Sequence, residues 1–338
     1  MATPCATPTH ALFAAAAAVT TTAAAPALAQ WTPPYRAAER IGLYEGPEFT
    51  APDGAQDSVP QRLNQSGRII GRSQRCTADG AHFGDATWVW DASAGAIRTG
   101  FFSGSEFTRD DGYQHSRNIG LLESGRIVGV SERFSGAFEA GAAAWTWTAE
   151  TGTVRIGLYD AVHTSDVGVI ANSVFTYNQS GVILGTTDRS GGGPQGSLGR
   201  SAWVFDPATN VTTELVFSVA GDGRANTVPT FLTESGCVLG LYDLYADDSL
   251  LSVNIFLWSI DRGFTDLGDL IDGGLSAAGI DRLTAVLGIN EASYILARGL
   301  PLSAPATAQA LYAFTIPSAP AATLIPLTLL ATARRRRR

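Results

Sequence analysis

The chain has 338 residues, 45% of them hydrophobic and 16% charged, with a formal net charge of −8. That is enough apolar material for a large core, and the composition is not that of a disordered chain. All 23 basic residues are arginine, and five of them form the terminal run Arg334, Arg335, Arg336, Arg337 and Arg338, leaving eighteen against 31 acidic residues. So acidic a body excludes a protein that grips a nucleic-acid backbone, where basic side chains supply the binding energy.

In chain order, residues 11–19 (ALFAAAAAV) form a short apolar run, and Ala27-Leu28-Ala29 supplies the small-x-small pattern that a signal peptidase needs. Residues 1–29 are therefore expected to be an export signal cut before Gln30. Cys5 falls within it. The remaining Cys76 and Cys237 belong to no CxxC or Cys/His cluster, so a zinc site is not expected. They lie in non-neighbouring repeats and are expected to be two isolated thiols.

From residue 40 to residue 316 a turn signature recurs: Asn64-Gln65-Ser66-Gly67, Glu123-Ser124-Gly125, Asn178-Gln179-Ser180-Gly181, Glu234-Ser235-Gly236 and a degraded Asn290-Glu291-Ala292-Ser293. The period is about 57 residues. After each turn comes a β-rich run (RIIGRS, RIVGVS, VILGTT, CVLGLY, YILARG), then an aromatic strand (ATWVWD, AAWTWT, SAWVFD, IFLWSI, LYAFTI). A second short turn then leads to a further strand in the first four copies. Alternation puts Trp88 with Trp90, and Trp145 with Trp147, on one face, and these rings are expected in the core. Short strands joined by Ser-Gly turns at this period predict an all-β chain, a five-bladed β-propeller of four-stranded repeats over residues 30–317. The last copy stops at its third strand, Leu311 to Ile316. Arg40-Ile41-Gly42-Leu43-Tyr44 matches the fourth strand Arg155-Ile156-Gly157-Leu158-Tyr159, so the N-terminal strand is expected to close the ring.

These elements resemble the bacterial extracellular HAF-repeat family, whose units carry an "FLW" strand, a "TDLG" segment and a "GIN" hairpin. Here they stand as Phe256-Leu257-Trp258, Thr265-Asp266-Leu267-Gly268 and Gly288-Ile289-Asn290. The resemblance implies an extracellular repeat protein and brings no catalytic residues with it. Beyond the repeats, Pro317 and Pro320, an apolar segment and the arginine run Arg334–Arg338 resemble the PEP-CTERM sorting signal, here without the glutamate of the usual Val-Pro-Glu-Pro. That resemblance implies that residues 318–338 are a tail processed by an exosortase-type enzyme. It also implies an exported, surface-sorted protein held transiently in the membrane, with the arginines on the cytoplasmic side.

The long connections, fourth strand to first (residues 45–61 and 103–116) and second to third (74–85 and 187–200), fall on one face, where binding residues usually sit. The ligand-binding candidates there are Asp110, Asp111, Tyr113, His115, His163, Asp166, Asp222 and Arg224. His115 and His163 occupy comparable loops of adjacent copies; if they bind nothing, they are expected to be solvated. Loop acids also serve simply to keep an extracellular protein soluble. No GxSxG, HExxH, P-loop or GxGxxG stands in its proper context, no His spacing suits a metal, and no cofactor is called for. Clustered Asp and Asn oxygens could ligate calcium, although no DxDxDG loop is present. The leading expectation is a non-catalytic binding protein of the cell surface or exopolysaccharide matrix, with polysaccharide or protein as partner. The alternatives are a carbohydrate-active enzyme, glycosidase or lyase, using two loop carboxylates at a central channel, and a purely structural matrix protein.

Overall fold

A computed structural model describes residues 38–190, 197–292, 294–303 and 309–315. The expected export signal and the tail with Pro317, Pro320 and Arg334–Arg338 lie outside the described residues, as does the glycine-rich stretch 191–193. No helix among the described residues is long and apolar enough to cross a membrane.

The chain is all-β, and its strands follow the repeat. Unit 1 holds β1 (Ser58–Leu63), β2 (Ile69–Cys76), β3 (His82–Asp91) and β4 (Gly95–Thr99). Unit 2 holds β5 (Ser116–Leu121), β6 (Ile127–Ser135), β7 (Phe138–Thr148) and β8 (Gly152–Ile156). Unit 3 holds β9 (Ile170–Tyr177), β10 (Ile183–Ser190), β11 (Ser197–Asp206) and β12 (Val211–Leu215), and unit 4 holds β13 (Ala225–Leu232), β14 (Val238–Ala246), β15 (Ser249–Ser259) and β16 (Gly263–Asp266). Unit 5 has β17 (Ile280–Ile289), β18 (Tyr294–Pro301) and β19 (Ala310–Thr315). Within each unit consecutive strands pair antiparallel.

The glycine of the repeated second-strand run and the aromatic of the third strand are cross-strand partners: Gly71 with Trp88, Gly129 with Trp145, Gly185 with Trp203, and Gly240 with Phe256. The three indoles and Phe256 are fully buried. A Cβ at Gly129 would lie 2.2 Å from the Trp145 ring, and one at Gly71 2.2 Å from that of Trp88. The glycine is thus the socket for the ring, in keeping with the close packing of protein interiors. In unit 5 the corresponding pair is Ala297 opposite Tyr312, whose smaller ring is only half-buried.

Adjacent units are joined where a third strand begins. Gly141 of β7 runs parallel to Ile170 of β9, and Gly199 of β11 runs parallel to Ala225 of β13. Gly141 has φ 92°, and a Cβ there would lie 2.1 Å from the Ile170 carbonyl oxygen. Gly141→Ala is therefore expected to cost about 2–4 kcal/mol, read as a lowered denaturant midpoint, because both the backbone conformation and the close approach are lost.

The turns between first and second strands form a directional series. Gln65 N–H donates to Glu123 Oε2 at 2.8 Å, Glu123 N–H to Gln179 Oε1 at 3.1 Å, Gln179 N–H to Glu234 Oε2 at 2.8 Å, and Glu234 N–H to Glu291 Oε1 at 2.7 Å. The three middle turns each donate a backbone group forward and offer a side-chain oxygen backward. The signature that marks the repeat in the sequence is also the joint between the repeats.

Two expectations are corrected. Of the segment expected to close the ring, residues 41–44 adopt no strand, and unit 5 remains a three-stranded sheet, β17-β18-β19. Leu43 N–H donates instead to Ser73 Oγ of β2 in unit 1, at 3.1 Å. The connections between second and third strands are also shorter than expected. In unit 2 strand pairing runs on past a bulge between Glu132 and Phe134 to the tight turn joining Ser135 and Phe138. The tryptophans fulfil their expected role, with Trp90 half-buried, and Cys76 and Cys237 are free thiols.

Candidate functional site

The loop entering unit 2 is held at several points. Gln114 Nε2 donates to the Phe102 carbonyl and to Thr108 Oγ1, both at 2.7 Å, and its Oε1 accepts from Arg98 at 2.8 Å. Phe134 N–H reaches the Glu106 carbonyl at 2.7 Å, and Asp110 N–H reaches the Gly136 carbonyl at 3.1 Å. His115, next to the anchored Gln114, accepts at its carbonyl from Glu132 N–H at 2.9 Å. A side chain positioned this way is set by the frame rather than by a mobile loop.

Around it lies a cavity of about 220 Å³ lined by His115, Arg117, Val130, Ser131, Glu132, Glu139 and Ala142. Glu132 is half-buried and Glu139 exposed. Burial pushes the Glu132 carboxyl above the usual range, the charge of Glu139 pushes the same way, and His115, Arg109 and Arg117 oppose without prevailing. From unit 1, Asp85 of β3 comes within 3.6 Å of His115 Nδ1 while pairing with Arg72 at 2.9 Å. The His115 contact is too long for a hydrogen bond, and buried Nδ1 has no hydrogen-bond partner among the described residues. Beside His115 lies Tyr113, whose ring stacks near it (centroids 6.5 Å apart) and stands edge-on to Phe83 and Phe134, with the Arg109 guanidinium 4.5 Å above it. Burial raises the Tyr113 phenol, aided by Glu132 and Asp85, so it stays neutral.

Of the residues expected from the sequence, Tyr113 and His115 are thus brought together, with Asp110 and Asp111 on the same loop. Asp111 is bound to Arg109 at 2.6 Å, and that hydrogen bond holds its carboxyl down to about 2, so it remains an ionised partner rather than a proton donor. Asp222 and Arg224 form a separate exposed pair at 2.6 Å in the loop entering unit 4, and Asp166 is exposed in the loop entering unit 3. Glu132 and Glu139 were missed because they lie on strands. The available signal was a charged residue closing the buried run Ile127–Ser131.

His163 is the larger correction, for it is buried rather than solvated. It ends the short 3-10 turn Ala161–His163, at the loop position where the buried Phe49 and Phe107 enter units 1 and 2. Its Nδ1 lies 2.7 Å from Asp160 Oδ1, and its Nε2 2.9 Å from Ser201 Oγ and 3.2 Å from Glu214 Oε1. In unit 2, Glu106 of the loop binds Arg133 at 2.8 Å and Arg155 at 2.6 Å. At the corresponding strand positions of unit 3 stand Arg189 and Glu214, paired with each other at 2.8 Å. The carboxylate has moved from loop to strand, and the imidazole occupies the space of the phenyl ring. Hydrogen bonding to His163 holds the Glu214 carboxyl below its usual range. The order Asp160–His163–Ser201 is that of a hydrolase triad, but Ser201 is buried and hydrogen-bonded to Glu214 at 2.7 Å, so it is no nucleophile. His163→Ala is expected to cost about 2–4 kcal/mol and His163→Phe less, giving the melting order wild type, then Phe, then Ala. The reverse order of the two variants would show that the polar contacts outweigh the filled volume.

Among the described residues no group of three or more His, Cys, Asp or Glu side chains could hold a metal ion. No family model and no curated protein matches the chain. Among solved structures, a glycoside hydrolase matches with TM-score 0.26 and 10% identity over 76% of this chain and 86% of its own. The β-propeller domain of the Trilobed protease from Pyrococcus furiosus matches with TM-score 0.30 and 11% identity over 78% and 76%. A polysaccharide lyase matches with TM-score 0.30 and 8% identity over 82% and 86%. The expectation of a non-catalytic binding protein is corrected here: apart from the protease domain, these structures are named as enzymes on carbohydrates. At such TM-scores the likeness carries no argument about this chain's chemistry, which has to come from its own side chains.

Proposed function

We propose that the chain is a carbohydrate-active enzyme, a glycosidase whose acid–base pair is Glu132 and Glu139. The observation that carries this reading is a cavity lined by two carboxyl groups, one of them shifted toward its protonated form by burial and by the other's charge. Two carboxyls with environments that set their proton affinities apart can divide the roles of acid and base. Glu132 gives its proton to the glycosidic oxygen as the bond from that oxygen to the anomeric carbon breaks. A water adds to the anomeric carbon and passes its proton to Glu139. The products are an alcohol and a hemiacetal, the new reducing end, and exchange with solvent moves the proton from Glu139 back to Glu132. The test is release of reducing ends from a polysaccharide panel by wild type, Glu132→Gln and Glu139→Gln. Turnover lost in both variants supports the pair, and turnover retained in both overturns it.

We also infer that the units form a five-bladed propeller, with residues 41–44 making toward unit 1 the contact that the end of a fourth strand makes toward its successor. Phe101, which follows β4, donates its N–H to Ser131 Oγ of the next unit at 3.0 Å, and Leu43 does the same to Ser73, the corresponding residue of unit 1. The N-terminal segment thus stands toward unit 1 as a fourth strand stands toward its successor. Export and sorting by an exosortase-type enzyme rest on the terminal segments alone and are part of the same proposal.

A further inference from the structure

The cavity contains a cation that the fold does not need. Arg117 is exposed at the start of β5, opposite Val130 in the ladder. The corresponding first-strand positions of the other four-stranded units, read from the same register, are Val59, Ser173 and Val228. Neighbouring arginines of unit 2 are committed: Arg109 to Asp111, and Arg133 and Arg155 to Glu106. Arg117 makes no ion pair or hydrogen bond among the described residues, yet it lines the cavity with Glu132 and Glu139. A guanidinium presents paired donors in a fixed plane that match a carboxylate bidentately.

We propose that the sugar bound beside Glu132 and Glu139 carries a carboxylate of its own, so that the substrate is a uronic-acid glycoside, and that Arg117 is the residue that reads it. This rests on the glycosidase reading above. The volume, about 220 Å³, is below the roughly 300–1,000 Å³ of drug-sized sites and suits one ring rather than several. A uronate here also meets a mixed field. The Glu139 carboxylate repels it unless Arg117 neutralises it, so the specificity includes a repulsive element as well as an attractive one.

The experiment uses the full chain and has two readouts. Binding is titrated by calorimetry with glucuronic- and galacturonic-acid oligosaccharides and with their neutral glucose and galactose counterparts. Hydrolysis is followed on the nitrophenyl glycosides of both anomers of the same four sugars. Expected are tighter binding and faster cleavage of one uronoside over its neutral counterpart, by about tenfold or more, with Arg117→Gln collapsing that ratio and Arg117→Lys restoring part of it. Cleavage without a uronate preference overturns this inference and leaves the glycosidase reading standing. A uronate preference in binding without cleavage overturns the glycosidase reading and leaves the role of Arg117 standing. Neither binding nor cleavage overturns both, as does a preference that Arg117→Gln leaves intact for the residue's part in it.

Discussion

Gly129→Ala is expected to lower the melting temperature on the order of 10 °C, a large effect for one methyl group. The added Cβ would lie 2.2 Å from the ring of Trp145, which is fully buried, and 2.6 Å from the Arg117 carbonyl oxygen. Neither neighbour is the far end of a flexible side chain, so the ladder between β5 and β6 has to shift or the indole has to leave its rotamer. Overpacking of this kind costs about 1–3 kcal/mol where a side chain alone must yield, and more where backbone yields too. Against a total stability of about 5–15 kcal/mol, that is a substantial fraction. The chain itself suggests the rescue. Unit 5 pairs Ala297 with Tyr312 where unit 2 pairs Gly129 with Trp145, so the double variant Gly129→Ala/Trp145→Tyr is expected to be more stable than the sum of its single changes predicts. A double-mutant cycle with no coupling would show that the two residues do not share one volume.

Glu132→Gln is expected to reduce hydrolysis by about 10²–10⁴-fold, the usual contribution of a positioned general acid. The loss depends on the leaving group. A nitrophenolate departs without protonation, so aryl glycosides lose least and natural alkyl glycosides most. Equal losses on both substrates would place Glu132 outside the proton-transfer step. The pH profile carries a second signature. Activity falls as pH rises through the elevated Glu132 pKa, because the acid is then deprotonated. Stability follows from the same direction of shift. The folded chain keeps the Glu132 proton where the unfolded chain has released it, so this group's contribution to stability is present at low pH and is lost as pH rises through the folded value. Glu132→Gln is accordingly expected to fold at least as well as wild type at neutral pH, which separates a catalytic loss from a folding loss.

The repeat was legible because its marks are the physics of the joint. The glycine of RIIG and RIVG leaves room for a ring, and the turn signature holds the side chains that bind the next turn. Such features recur through the first four units and so stand out against one sequence. The site was legible only in part, because it is what one unit does differently. Tyr113 and His115 sit on a long loop and could be named. Glu132 and Glu139 sit on strands whose pairing runs on past a bulge, and only the fold brings them to one cavity. His163 misled for the opposite reason. A polar residue in a loop reads as solvated, and its burial follows only once the loop is superposed on those carrying Phe49 and Phe107. The polar partners that permit this burial, Ser201, Arg189 and Glu214, come from strands about 26–51 residues further along the chain.

The forward-donating series of turns, Gln65 to Glu123 to Gln179 to Glu234 to Glu291, bears on how such a molecule can change over generations. Every joint repeats one bond, from a backbone donor to a side-chain acceptor, at successive separations of 58, 56, 55 and 57 residues. A duplicated or deleted repeat brings its own donor and its own acceptor, so recombination within the gene can lengthen or shorten the array without inventing a new surface. Single units are then free to diverge, as the second has at its cavity and the third at its buried histidine, while the copies on either side keep the architecture intact.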